Sequence, residues 1–100
     1  MEEGKEVKID LRRNTFPESV KSVHERLNSI APWDTLITIS DFDPELIYNE
    51  INFFLPGLWK IEKKINTEGL WEAKWKMNPD APFPWIDERI EILKKYLIKK

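Results

Sequence analysis

The stretch TLITISDFDP, from Thr35 to Pro44, decides the fold. Its first six residues are β-branched or apolar up to a closing serine, the composition of a strand inside a sheet rather than at its margin. Asp43-Pro44 then reads as a helix cap followed by a first helical residue. An aspartate side chain accepts an orphan backbone N–H there, and the N–H that proline lacks is not needed. Strand therefore passes into helix with only Asp41 and Phe42 between.

Working outward, Val7, Ile9 and Leu11 alternate with Lys8 and Asp10, the pattern of a half-buried strand. Thr15-Phe16-Pro17-Glu18 has the spacing of a capping box, with Pro17 tolerated in the first turn. Val20, Val23, Leu27 and Ile30 follow at helical spacing, and Ala31-Pro32-Trp33-Asp34 turns the chain back. Downstream, Ile47, Ile51, Phe54 and Leu55 form a second apolar stripe that Pro56-Gly57 stops. Leu58 to Ile65 and Leu70 to Met77 read as a hairpin joined by Asn66-Thr67-Glu68-Gly69. Trp71, Ala73, Trp75 and Met77 fall on one face of its second strand and Glu72, Lys74 and Lys76 on the other, so one sheet face is buried and one wet.

The predicted order is βαβαββ, an α+β two-layer sandwich with a four-stranded mixed sheet and two helices on one face. Residues 1–6 read as an N-terminal tail, 7–78 as the α/β domain, and 79–100 as a proline-rich connector with an added C-terminal amphipathic helix. In that helix, predicted from Trp85 to Ile98, Ile86, Ile90, Leu93 and Leu97 make one stripe, widened by Trp85, Ile92 and Tyr96.

Composition narrows the function classes. One hundred residues, 41% hydrophobic with five tryptophans, suit one domain with a modest core, since a chain of this size buries roughly 65% of its unfolded surface. Charged residues at 34% give it a wet surface, and a net charge of -2 provides no global attraction to nucleic acid. There is no cysteine, which removes disulfides, thiolate metal sites and thiol nucleophiles together. Glu2, Glu3 and Glu6 with no apolar run argue against a secretion signal, and no stretch has the length to span a bilayer, so a cytoplasmic location without membrane contact is expected. Twelve lysines, twelve glutamates, twelve isoleucines and no glutamine lean toward a heat-adapted source.

The motifs in this order are similar to a known group. Ile9-Asp10-Leu11-Arg12, Pro17-Glu18, Ser40-Asp41-Phe42-Asp43-Pro44, Pro56-Gly57 and the tryptophan strand Trp71 to Lys76 resemble the TusA/SirA-like superfamily, and within it the domain of unknown function 2249 family. The similarity covers about Val7 to Met77 and leaves the final helix outside. It implies the sulfur-carrier fold and, by association, an accessory role in sulfur transfer or redox metabolism. The chain departs from the group where chemistry resides. Sulfur carriers place a cysteine before the Pro-Glu-Pro that opens the first helix, where the helix N-terminus stabilises a thiolate. Phe16 occupies that position here, and Ser19 replaces the second proline. Phe42 replaces the histidine of the family's N-D-H-D-P loop, and with it any metal or haem ligand at that place.

The candidate site is the rim made by the two strand-to-helix loops, with Arg12, Arg13, Thr15, Phe16, Pro17, Asp41, Phe42 and Asp43 as its residues. Ligands of open α/β sheets favour the crevice beyond strand carboxyl ends, and two helix N-termini with two arginines suit an anion. Caps, turn formers and a solvated edge explain the same residues without a ligand. Asp41 and Asp43 form the one close acidic pair in a loop flanked by predicted structure, read first as turn and cap and only last as a metal or acid-base pair, because two carboxylates are few for a hard cation. His24, the sole histidine, lacks partners for ligation or catalysis. Lys60, Lys64, Lys74 and Lys76, interspersed with Glu62 and Glu72, are expected on the open sheet face, where mixed signs favour plain solvation over a phosphate backbone. The sequence thus predicts a non-enzymatic binding or adaptor module for a protein partner or small anion. No cofactor, catalytic residue or metal is assigned. Nucleic acid is not favoured, and a homodimer through the last helix or an edge strand is the remaining partnership.

Overall fold

The computed structural model describes residues 4–81 and 88–99. The chain runs β1 (Glu6–Asp10), α1 (Phe16–Ser29), β2 (Thr35–Ser40), α2 (Glu45–Phe54), β3 (Trp59–Thr67), β4 (Leu70–Met77) and α3 (Glu88–Lys99). The sheet order is β1-β2-β4-β3, with β1 and β2 parallel and β4 antiparallel to both neighbours. The stretch Thr35–Ser40 is indeed interior, paired on both sides.

Helices α1 and α2 each start for a local reason. Thr15 Oγ1 accepts from the Glu18 N–H at 3.3 Å and Glu18 Oε1 accepts from the Thr15 N–H at 2.8 Å, which completes the predicted capping box. At α2, Pro44 already has helical dihedrals (φ -63, ψ -14), and Asp43 Oδ1 accepts from the Glu45 N–H at 2.9 Å. Asp43 therefore does the capping work predicted for it.

Ser19, Val23 and Leu27 of α1 and Ile47 and Ile51 of α2 face Leu36, Trp59, Ala73 and Trp75, which share one face of the sheet. A buried Val, Leu or Ile contributes about 1.5–3 kcal/mol, so these stripes hold the layers together. Trp75 lies at the centre, its indole N–H donating to Thr38 Oγ1 at 3.0 Å. Phe54 departs from expectation. It is 70% exposed, because the helix ends there and Leu55 takes the inward place.

Asp34 ties the sheet's lower end together. Its buried carboxylate accepts from the Lys5 N–H at 2.8 Å and the Ala31 N–H at 3.0 Å, joining the start of β1 to the turn before β2. Gly4 lies against the backbone of Trp33, an approach that leaves no room for a Cβ.

The hairpin is tighter than predicted. Thr67 pairs with Leu70, leaving the two-residue loop Glu68-Gly69, and both residues have positive φ (51° and 84°). That combination matches the twist of the flanking strands. A bulge between Ile61 and Lys63 inserts Glu62 as an extra residue. Alternation is reset there, and the expected lysine face is corrected. Lys63 pairs with Lys74 on the open face, whereas Lys64 pairs with the buried Ala73 and therefore lies on the helix side.

Helix α3 closes one end of the sandwich. Ile90 and Leu93 are buried in the common core, Tyr96 stacks on Trp33, and the Arg89 guanidinium stands 5.9 Å from the Trp59 ring centre and donates to Leu27 O at 3.4 Å. Leu97 and Ile92, expected on the stripe or its flank, are exposed. Trp85 and Ile86, with the rest of the connector from 82 to 87, lie outside the described residues. Among the described residues no helix is long and apolar enough to cross a membrane.

Candidate functional site

The rim forms beyond the carboxyl ends of β1 and β2. Leu11, the residue after β1, donates its N–H to Ile39 O at 2.7 Å, so the first loop leaves the sheet fixed to the second strand. In the second loop Ser40 Oγ donates to Phe42 O at 2.8 Å, which folds Phe42 back toward the sheet. The two loops meet through their aromatic rings. Phe16 and Phe42 stand edge to face with centroids 5.9 Å apart, and Phe16 remains 40% exposed. The predicted rim residues are thus brought together, with Phe16 at the mouth of α1.

The charged residues are engaged with one another. Arg12 Nε lies 2.9 and 3.1 Å from the two Asp10 carboxylate oxygens, and Nη2 lies 2.6 Å from Oδ2. The Arg12 backbone N–H donates to the same carboxylate at 3.0 Å. Hydrogen bonding by the Arg12 guanidinium, then by its backbone, holds the Asp10 carboxyl down at about 2. The same pairing, with Asp41 adding its field, raises Arg12 above its usual value. Arg13 is exposed and acts on Asp10 only through its field.

The helix N-termini are also occupied. At α1, Pro17 has no N–H, the Glu18 N–H is taken by Thr15, and the Ser19 N–H donates to Thr15 O. The backbone N–H of Thr15 holds the Glu18 carboxyl below the ordinary carboxylate range. At α2, Asp43 fills the anion position itself. Lys64 crosses from β3 to this place, 3.2 Å from Glu45 Oε2 and 3.4 Å from Asp43 Oδ1, with its ammonium 5.8 Å from the Trp71 ring centre. Glu45 first, against a smaller loss of hydration, raises the Lys64 pKa.

Around the rim three cations (Arg12, Arg13 and Lys64) face five carboxylates (Asp10, Glu18, Asp41, Asp43 and Glu45). Arg12 and Lys64 are each held by carboxylates within 3.4 Å, which leaves an incoming anion only Arg13 to meet. A cation finds little better, since Asp43 already serves Glu45 and Lys64, and among the described residues no three of His, Asp and Glu come together as a metal site. His24 lies on the exposed face of α1, 3.4 Å from the Asn28 amide.

Two features escaped the sequence reading. Lys64 belongs to the rim only because of the bulge, and Ile61-Glu62-Lys63-Lys64-Ile65 carries no glycine or proline to mark one. Phe53 and Phe54, 78% and 70% exposed, pack edge to face at 5.2 Å at the end of α2, where a stripe count places the second ring inside. No protein-family model, curated protein or solved structure matches this chain.

Proposed function

We propose that this chain is a non-enzymatic binding module, a TusA-like domain that keeps the carrier scaffold without its thiol, and that its rim engages a protein partner in the cytoplasm. Phe16 carries the reading. An aromatic ring with two-fifths of its surface in water, braced edge to face by Phe42, stands where the resembled family mounts its reactive sulfur. Exposed aromatic side chains that lose little entropy on binding are the usual anchors of protein interfaces. The salt-bridged surroundings form the polar rim that such an anchor requires. The anion version of the site loses support from the filled helix N-termini and the excess of carboxylates.

The test places a photo-crosslinking phenylalanine analogue at Phe16, at Phe42 and, as a control, at the solvated Lys21, in the chain's native host. A discrete adduct is expected from positions 16 and 42 but not from 21, and excess unlabelled wild-type protein should suppress it. Identical adducts from all three positions would remove the partner reading. So would transfer of sulfane sulfur by the purified chain. A melting-temperature rise with phosphate or sulfate that disappears in Arg12→Ala with Arg13→Ala would move the site to small anions.

A further inference from the structure

Helix α3 walls a cleft of about 660 Å³ at the end of the sheet opposite the rim, where β1 and β2 begin. Small-molecule sites fall at roughly 300–1,000 Å³. One wall is apolar, built from Leu93, Leu97 and Met77 beside the Trp33–Tyr96 stack, whose rings lie 5.0 Å apart and 19° from parallel. The other wall is the start of the open sheet face, where Lys60 and Lys76 stand directly opposite each other on β3 and β4.

Those two ammonium groups are poorly compensated. Like charges directly across an antiparallel pair repel. Lys76 has one carboxylate, Glu62, at 3.9 Å, and Lys60 has no ion pair among the described residues. The cleft's other acids are spent elsewhere. Asp34 holds two backbone N–H groups, and Glu6 sits 3.4 Å from Lys74. An apolar wall facing an under-neutralised cationic wall matches a ligand with the same two halves.

We propose that this cleft binds a small amphipathic anion, an apolar body carrying one carboxylate. The head group lies between Lys60 and Lys76 and relieves their repulsion. The body lies along Leu93, Leu97 and Tyr96. The site shares no residue with the rim and does not depend on what the rim binds.

Calorimetric titration of the full chain with decanoate, decyltrimethylammonium and butyrate, all below micelle formation, separates head from tail. Decanoate is expected to bind one per chain and to raise the melting temperature. The cation with the same tail and the short acid with the same head should bind at least roughly tenfold more weakly. Lys60→Gln with Lys76→Gln, and separately Leu97→Glu on the exposed part of the apolar wall, should each weaken decanoate by roughly tenfold. Lys60→Arg with Lys76→Arg should retain binding, which distinguishes lost charge from lost fold. Phe16→Ser with Phe42→Ser should leave the titration unchanged. The proposal fails if millimolar decanoate gives no heat, if the cationic amphiphile binds equally well, if the glutamine pair binds decanoate like the wild type, or if the rim variant abolishes the binding.

Discussion

Replacing Thr38 by valine isolates the buried side-chain hydrogen bond between Trp75 and Thr38 at the centre of the sheet. The two side chains are nearly the same shape, so the substitution removes an oxygen without opening a cavity. Trp75 is fully buried and Thr38 almost so, and the indole N–H donates to Thr38 Oγ1 at 3.0 Å. In Thr38→Val that N–H is stranded without water, and a buried donor left unsatisfied costs about 1–3 kcal/mol. For a domain of this size each kcal/mol corresponds to roughly 4–8 °C, so the melting temperature should fall by roughly 5–20 °C. Urea unfolding followed by circular dichroism is the assay, and an unchanged m-value would show that the same surface is still exposed on unfolding. The decisive arm is a double-mutant cycle. In a Trp75→Phe background no N–H remains to strand, so Thr38→Val should cost almost nothing. An equal cost in both backgrounds, or none in the wild type, refutes the reasoning. Trp59 offers a contrast, since its buried Nε1 has no partner among the described residues. Trp59→Phe should therefore be the milder of the two tryptophan replacements.

Other expectations follow from single residues. Ser19 is fully buried and its Oγ has no partner among the described residues, so Ser19→Ala should stabilise the fold by about 1 kcal/mol in urea unfolding, through the lost polar burial and the gain in helix propensity. Gly69 has φ 84° with open space where a Cβ would stand, so Gly69→Ala should cost about 1–2 kcal/mol from backbone strain alone. Its neighbour Glu68, at φ 51°, is the opposite case, and Glu68→Asn should raise the melting temperature because asparagine tolerates this conformation better. Asp10 and Glu18 have lowered carboxyl pKa values in the folded chain. The stability they contribute is therefore complete above the ordinary carboxylate range and lost on acidification, for Asp10 between its usual 3.8 and about 2. A melting curve series from neutral pH to pH 2 should show Asp10→Asn declining less steeply than wild type across that window.

What could be read in the chain beforehand was what local chemistry decides. The capping box at Thr15 and Glu18 is a contact between residues three apart. The interior character of Thr35–Ser40 is written in its own side chains, and the two strand-to-helix loops follow from both. The insertion of β4 between β2 and β3 depends on which distant strands find each other, which no local window contains. The mixed sheet and its helix layer were legible for that reason, and the strand order was not. At the rim the meeting of the two strand-to-helix loops was legible, and the pairing of their charges was not. The expectation of an anion counted two helix N-termini and two arginines, yet the carboxylates that fill those positions, Glu18 and Asp43, lie in the same motifs. Asp10, two residues before Arg12, was equally in view. The exposure of Phe54 and the facing of Lys64 depend on where a helix runs out and where a strand slips, and neither has a sequence mark here.

The extra residue at Glu62 has a consequence for how this chain tolerates change in length. Excising that single codon would remove the bulge and leave the pairs on either side of it, Ile61 with Trp75 and Lys63 with Lys74, in register, so no side chain beyond it changes face. Lys64 would keep its place beside Asp43 and Glu45, the acids it now neutralises. Keeping every residue but straightening the bulge has the opposite effect: Glu62 would stand opposite Lys74, Lys63 would turn to the helices, and Lys64 would turn away from its two acids. The bulge is slack in the strand, which can lose one residue there as quietly as a surface loop does.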